Sequence, residues 1–197
     1  MIIGPSLLSI VSITIALVAL VLSVLNLWVS QFRKGKLLLS QPTIIFFGWD
    51  DVGKAAPKIM IRSALFSTGN RGHVVENLHV KLHNKQGEWD FPYWGYDDGK
   101  GMVKGSGLFI GVSGQSAYHH FNPIHEYDDF FYEIGANKIE VWAQNYGDLR
   151  QKLLGTYQVD LNDKDMHSAL AHHEAGVTWD WSPTDGVYYP SVVRKRN

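Results

Sequence analysis

The chain has 197 residues, and its 18 basic and 19 acidic side chains leave a formal net charge of −1. This balance gives no overall field that would attract a polyanion, so we expect no double-stranded nucleic acid among its partners. Because the sequence holds no Cys, a disulfide framework and thiol catalysis are excluded.

The first predicted element is a transmembrane helix over residues 7–29, a run without a charged side chain. At about 1.5 Å per residue the run covers roughly 34 Å, enough to cross a hydrocarbon core of about 30 Å. Fifteen of its residues are Leu, Ile or Val, which favour insertion. A cleaved signal peptide is disfavoured, because the run has no basic segment before it and no A-x-A site after it. Residues 1–36 are therefore predicted to form a membrane anchor with a basic juxtamembrane linker, and the lipid bilayer is the first predicted partner.

Small and polar residues are ordered along this span. They follow one another at steps of three and four, as Ser9, Ser12, Ala16, Ala19, Ser23, Asn26 and Ser30. This spacing is the a/d seam of a heptad repeat. Helices in lipid associate through close approach of small side chains and through interhelical hydrogen bonds. The pattern predicts a homo-oligomer formed through this seam, and the alternative is a lone helix that tolerates a few serines.

The charges that flank the span predict its orientation. No Lys or Arg precedes it, whereas Arg33, Lys34 and Lys36 follow it at once. Positive residues are retained on the cytoplasmic side of a membrane. We therefore predict a single-pass protein of the plasma (inner) membrane, with its C-terminal domain in the cytoplasm.

Residues 37–197 are predicted to form one soluble domain made mainly of strands. Alternating apolar residues between turn signals mark the strands. The predicted strands cover residues 37–47, 58–66, 74–83, 108–112, 116–121, 138–143, 153–161, 177–181 and 187–189. One short late helix is predicted over residues 163–173, with Asn162 as its N-cap and Gly176 as its stop. The pattern is typical of an antiparallel β-sandwich, with a small β-barrel as the alternative.

A glycine-rich loop with two lysines follows a cluster of aromatic residues. Lys100 and Lys104 lie among the four glycines of residues 99–107, and free backbone N–H groups beside them would suit an anion. Trp94 and Tyr96 come just before this loop and would supply a stacking wall. These four residues are the predicted ligand site. The alternative interpretation is a mobile hairpin loop preceded by aromatic residues that only fill the core.

The nine histidines give no predicted metal site. His119 and His120 are adjacent, and neighbours on a strand face opposite ways. The predicted helix lacks two histidines four residues apart, and no G-x-S-x-G elbow occurs. We therefore predict no catalytic residue, no metal and no cofactor.

Three classes of function follow from these features. The first is a membrane-anchored binding or interaction module that recognises a protein partner and self-associates through its span. The second is a sensor-effector whose cytoplasmic domain binds a small anionic ligand, such as a nucleotide, and alters the packing of the membrane helices. The third, a metal-dependent hydrolase, is the weakest, and the sequence favours a protein that is not an enzyme.

Overall fold

A computed structural model describes residues 5–32, 35–50, 56–105, 107–123, 130–171 and 175–194. The chain begins with helix α1, Pro5–Leu27, which continues into a π-helical turn, Trp28–Phe32. Within Leu8–Phe32 a stretch of 18 residues has a mean hydropathy of 2.8, and none of that stretch is buried against the rest of the chain. Within the described residues this one helix is long and apolar enough to cross a membrane, as predicted.

Strands dominate the remainder, and every pairing between them is antiparallel. The strands are β1 Leu37–Leu39, β2 Ile44–Asp50, β3 Ala56–Ser67, β4 His73–Asn84, β5 Gly87–Asp97, β6 Met102–Lys104, β7 Leu108–Ile110, β8 Gln115–Phe121, β9 Gly135–Asn145, β10 Lys152–Leu161, β11 Ala175–Ser182 and β12 Val187–Arg194. Helix α2, Lys164–Ala171, lies between β10 and β11. The mainly β class, the antiparallel pairing and the short late helix are confirmed.

These strands form one continuous sheet that curls into a half-barrel. The order along the sheet is β10-β9-β4-β5-β8-β3-β2-β11-β12. Three short strands lie off this path: β1 pairs with β3, β6 pairs with β5, and β7 pairs with β4. Strand β5 produces much of the curl, because its first half pairs with β4 and its second half pairs with β8. A bulge between Tyr93 and Gly95 lies at this change of partner, where the extra residue bends and twists the strand. The observed form of the predicted antiparallel β fold is therefore a curled sheet, a half-barrel.

The concave side of the sheet holds the hydrophobic core. Phe47 of β2 stacks on Tyr132 at 5.0 Å between ring centroids and meets Trp179 of β11 edge-on at 4.9 Å. The Tyr132 hydroxyl donates toward the carbonyls of Gly48 and Lys58 and accepts the Lys58 N–H. The phenol therefore ties β2 to β3 from inside the core.

Two predicted elements differ from the observed ones. The predicted strand 37–47 is divided into β1 and β2, because Pro42 cannot donate to a ladder. The β5–β6 hairpin was not predicted as paired strands, since Pro92 and Gly95 interrupt its pattern. The predicted end of α2 lies outside the described residues.

The end of α1 meets the turn between β3 and β4. The Lys36 N–H donates to Thr68 Oγ1 at 2.7 Å, and the Thr68 N–H donates to the Lys36 carbonyl at 3.0 Å. Asn70 Nδ2 donates to the Ser30 carbonyl at 2.8 Å. The turns over residues 68–72, 111–114 and 146–151 lie at this end of the sheet, which we call the helix-proximal end. The opposite end, with the β4–β5 turn, is the helix-distal end.

Candidate functional site

A large cleft runs along the opening of the half-barrel, where the first and last strands of the sheet approach each other. It has a volume of about 630 Å³ and lies between β10, the start of α2, and the concave face of β11 and β12. We call it the seam groove. Its apolar lining includes Tyr157, Met166, Trp179, Trp181, Tyr188 and Pro190.

Hydrogen bonds and ring contacts hold the aromatic lining of the seam groove in place. Trp181 meets Tyr188 edge-on with centroids 4.9 Å apart. The Tyr188 hydroxyl donates to the Pro42 carbonyl at 3.0 Å and accepts from Gln41 Nε2 at 3.0 Å. Burial raises the pKa of Tyr188, and it raises the pKa of Tyr157 to about 12. Both phenols are therefore neutral at physiological pH and act as hydrogen-bonding groups with large apolar faces.

The outer edge of β10 faces this groove. Strand β10 pairs with β9 on one side, and Trp179 Nε1 donates to the Asp160 carbonyl at 3.3 Å on the other. Backbone groups alternate in direction along a strand, so the N–H and C=O groups of Thr156 and Gln158 point the same way as the Asp160 carbonyl. Within the described structure, neither residue has a backbone partner on that side. The groove therefore contains a short open strand edge.

The charged side chains of the seam groove are acidic. Asp160 and Asp163 contribute carboxylates, while Gln41, Gln158 and Asn162 contribute amides. No Lys or Arg is among the residues that line it in the described part of the chain. This composition suits a neutral or cationic ligand and disfavours an anionic one.

Trp94 and Lys104 from the predicted ligand site come together on the convex face of the sheet. Lys104 Nζ lies 4.7 Å from the centroid of the Trp94 indole, and Lys58 Nζ lies 5.4 Å from it. The His120 ring is 6.4 Å away. Burial lowers the pKa of His120 to about 4, with a further lowering by the charge of Lys58. Sequence reasoning missed Lys58, which β3 brings to this position through its pairing with β8.

The other two predicted residues lie elsewhere. Tyr96 is partly buried and packs against the hydrophobic core, so it does not line the Trp94 surface. Lys100 is exposed on the β5–β6 turn. The N–H groups of Gly99 and Lys100 donate to the Asp97 and Asp98 carboxylates at 2.8 and 3.0 Å. Because acidic side chains occupy these donors, this turn does not offer them to an anion.

The histidine positions follow from strand alternation. Ile61 is the partner of His119, Met60 is the partner of His120, and the two rings face opposite sides of the sheet. No group of three His, Asp or Glu residues close enough to hold a metal ion occurs among the described residues.

The seam residues of α1 are exposed along the helix, and Ser30 lies in the π-helical turn. The hydroxyls of Ser12 and Ser23 donate to carbonyls four residues earlier, at 2.9 and 2.8 Å. These bonds lower the cost of placing a serine in lipid. Asn26, the one amide of the seam, is exposed on the same helix.

Comparison of the chain with protein-family models, with curated proteins and with solved structures finds no match.

Proposed function

We propose that this chain is a single-pass membrane protein whose β domain is a binding module, and that an extended peptide segment of a partner occupies the seam groove. The observation that supports this proposal is the open edge of β10, which lies beside an aromatic lining held in place by its contacts. An added strand would bond to the free backbone groups of Thr156 and Gln158, while its side chains would contact Trp181 and Tyr188. This is recognition by β-strand addition, in which main-chain bonds give affinity and side-chain pockets give selectivity.

The dimensions and charge of the groove define the peptide. Residues 156–160 of β10 span roughly 13 Å at the usual strand rise, which matches a segment of about five residues. Asp160 and Asp163 favour a basic residue in that segment, and the aromatic rings favour an apolar one. The proposal therefore specifies a short segment that combines basic and apolar side chains.

The membrane part of the proposal rests on the span and its flanking charges. The apolar helix ends beside Arg33, Lys34 and Lys36, which favours a cytoplasmic domain at the plasma membrane. Its seam presents small side chains and the amide of Asn26, which supports association of two or more copies. Association would place several grooves side by side and would raise the avidity for a multivalent partner.

A second candidate function is the binding of a small anion at the convex face. The observation that favours it is the approach of both Lys58 and Lys104 to the Trp94 indole. Two ammonium groups beside an aromatic face could recognise a phosphate attached to a base. This site is separate from the acidic seam groove, so the two candidates are tested by different variants.

The groove proposal is tested by peptide selection against the full chain in nanodiscs. Peptides recovered from a random display library are measured against Gln158→Pro and Trp181→Ala, with Trp94→Ala as the matched control on the convex face. The Gln158 N–H points away from β9, so the proline removes a donor for the added strand without removing a ladder bond. We expect both groove variants to lose at least tenfold in affinity and the control to retain it. Recovery of no peptide, or equal affinities in all variants, would refute the groove proposal.

A further inference from the structure

The helix-proximal end of the sheet carries a row of exposed apolar side chains. Val74 of β4 is the partner of Phe109 on β7, and the Val74 carbonyl accepts the Tyr146 N–H at 2.8 Å on the other side. The three side chains therefore lie side by side across neighbouring strands. Their exposed fractions are 45% for Val74, 66% for Phe109 and 76% for Tyr146. Single exposed apolar residues are common on protein surfaces, but a contiguous row of this kind marks a contact surface.

The turns at the same end extend this surface. Val112 in the β7–β8 turn is 56% exposed, and Leu149 in the β9–β10 turn is 99% exposed. We call Val74, Phe109, Val112, Tyr146 and Leu149 together the helix-proximal rim.

Basic side chains surround the helix-proximal rim. Lys36, Arg71, Arg150 and Lys152 are exposed there. Two acidic residues offset part of this charge: Lys152 Nζ lies 2.7 Å from the Asp148 carboxylate, and Glu76 is exposed on β4 close to Val74. The excess positive charge complements a surface of anionic lipid headgroups.

The end of the span determines the position of the helix-proximal rim relative to the membrane surface. Trp28 and Phe32 stack at 5.5 Å between centroids, in the position of an interfacial aromatic anchor. Only three residues later, Gly35 shares a cleft of about 300 Å³ with Arg71, Tyr146 and Lys152. The rim is therefore held within a few residues of the level at which α1 would leave the bilayer.

We infer that the helix-proximal rim is a second membrane contact, which inserts its apolar side chains into the interface of a bilayer that contains anionic lipid. This inference rests on the proposed membrane anchor, because the span brings the rim to the lipid surface. The rim contributes buried apolar area and the surrounding basic residues contribute attraction to headgroups, the two terms that drive interfacial binding. Two contacts instead of one would hold the domain at a fixed tilt on the membrane.

The sequence has no Cys, so a thiol-reactive fluorophore labels only the cysteine that is introduced. Phe109→Cys and Leu149→Cys are labelled with the polarity-sensitive fluorophore NBD in the full chain. Phe131→Cys is the matched control, because Phe131 is also exposed but lies next to Tyr132 near the β2–β3 connection at the helix-distal end. Leu20→Cys reports insertion of the span independently.

The chains are reconstituted into vesicles of phosphatidylcholine with and without phosphatidylserine. We expect blue-shifted emission and quenching by nitroxide lipids at Phe109→Cys and Leu149→Cys, strongest with phosphatidylserine, and aqueous emission at Phe131→Cys. Arg150→Glu should reduce the rim signal in anionic vesicles, because each basic residue near such a surface changes partitioning roughly fivefold.

Each other outcome overturns part of the argument. Aqueous emission at the rim with a lipid-embedded Leu20→Cys label refutes the rim contact and leaves the anchor intact. An aqueous Leu20→Cys label refutes the anchor and the rim contact together. If the blue shift of the NBD emission at the rim disappears when the protein is diluted in excess lipid, the rim contacts a second copy of the chain. That result would refute the lipid contact.

Discussion

Acidification should destabilise this domain through two adjacent buried histidines on β8. His119 is 1% exposed and His120 is 7% exposed. Burial lowers the pKa of each imidazole to about 4 from an ordinary value of 6.5. For His119 a hydrogen bond with the Ser63 backbone opposes the lowering of the pKa, and the neighbouring His120 adds to it. For His120, Lys58 adds to the lowering, while Asp97 and Asp50 oppose it.

The direction in which pH changes the free energy of unfolding follows from proton uptake by the unfolded chain. Between pH 6.5 and 4 the unfolded chain binds protons that the folded chain does not, so the free energy of unfolding falls as the pH falls. With a folded pKa of about 4, each histidine costs about 2 kcal/mol on going from pH 7.5 to pH 5, or about 4 kcal/mol for both. A change of that size lowers the melting temperature of a domain of this length by on the order of 10 °C.

The measurement is thermal unfolding of the full chain in nanodiscs, followed by tryptophan fluorescence between pH 7.5 and 5. His119→Gln and His120→Gln should each remove about 2 kcal/mol of the pH dependence, while His79, whose pKa burial also lowers, keeps its own contribution. His167→Gln on α2 is the control, because this histidine is only partly buried. A melting temperature that stays constant over the range, or variants that keep the parent slope, would refute the assignment of the effect to these two rings.

Three further predictions concern the core, the span and the convex face. Tyr132→Phe keeps the stacked ring but leaves buried backbone groups without their partner, so urea titration should show a loss of about 1–3 kcal/mol. An unchanged midpoint would contradict that role. Ala16→Ile should weaken crosslinking between copies in membranes, whereas Leu17→Ile should leave it intact, and equal crosslinking would refute the seam. If an anion binds at the convex face, Lys104→Gln should abolish thermal stabilisation by a nucleoside triphosphate and Lys100→Gln should retain it, while equal shifts would argue against that site.

The sequence predicted the elements whose signal is local. The apolar run is recognisable without any tertiary contact, because insertion depends on the summed hydropathy of consecutive residues. The mainly β class followed from alternation in the same way. The curl of the sheet was not predictable from these signals, since it depends on β5 exchanging one partner strand for another. The isolated Gly95 in an aromatic stretch was the available clue, because glycine within a strand often marks a bulge.

The candidate sites were predicted less well because they depend on topology. Trp94 and Lys104 were both named from sequence, and their proximity follows from the β5–β6 hairpin. Lys58 joins them only because β3 pairs with β8 and β8 with β5. The seam groove draws on β10, β11 and β12, and nothing in the sequence indicates which strands end the sheet. Tyr157, Trp181 and Tyr188 therefore looked like ordinary strand residues.

The open edges of the half-barrel connect the fold to its proposed function. An uncovered strand edge invites uncontrolled pairing, and natural sheets protect such edges with prolines, bulges or covering side chains. Strand β12 carries Pro190, and β10 has a bulge between Leu153 and Gly155 in the half nearer the anchor. The half of β10 that lines the seam groove has the Trp179 contact at Asp160 but no bulge. That half lies toward the helix-distal end, so a peptide could reach it from solvent while the helix-proximal rim rests on lipid.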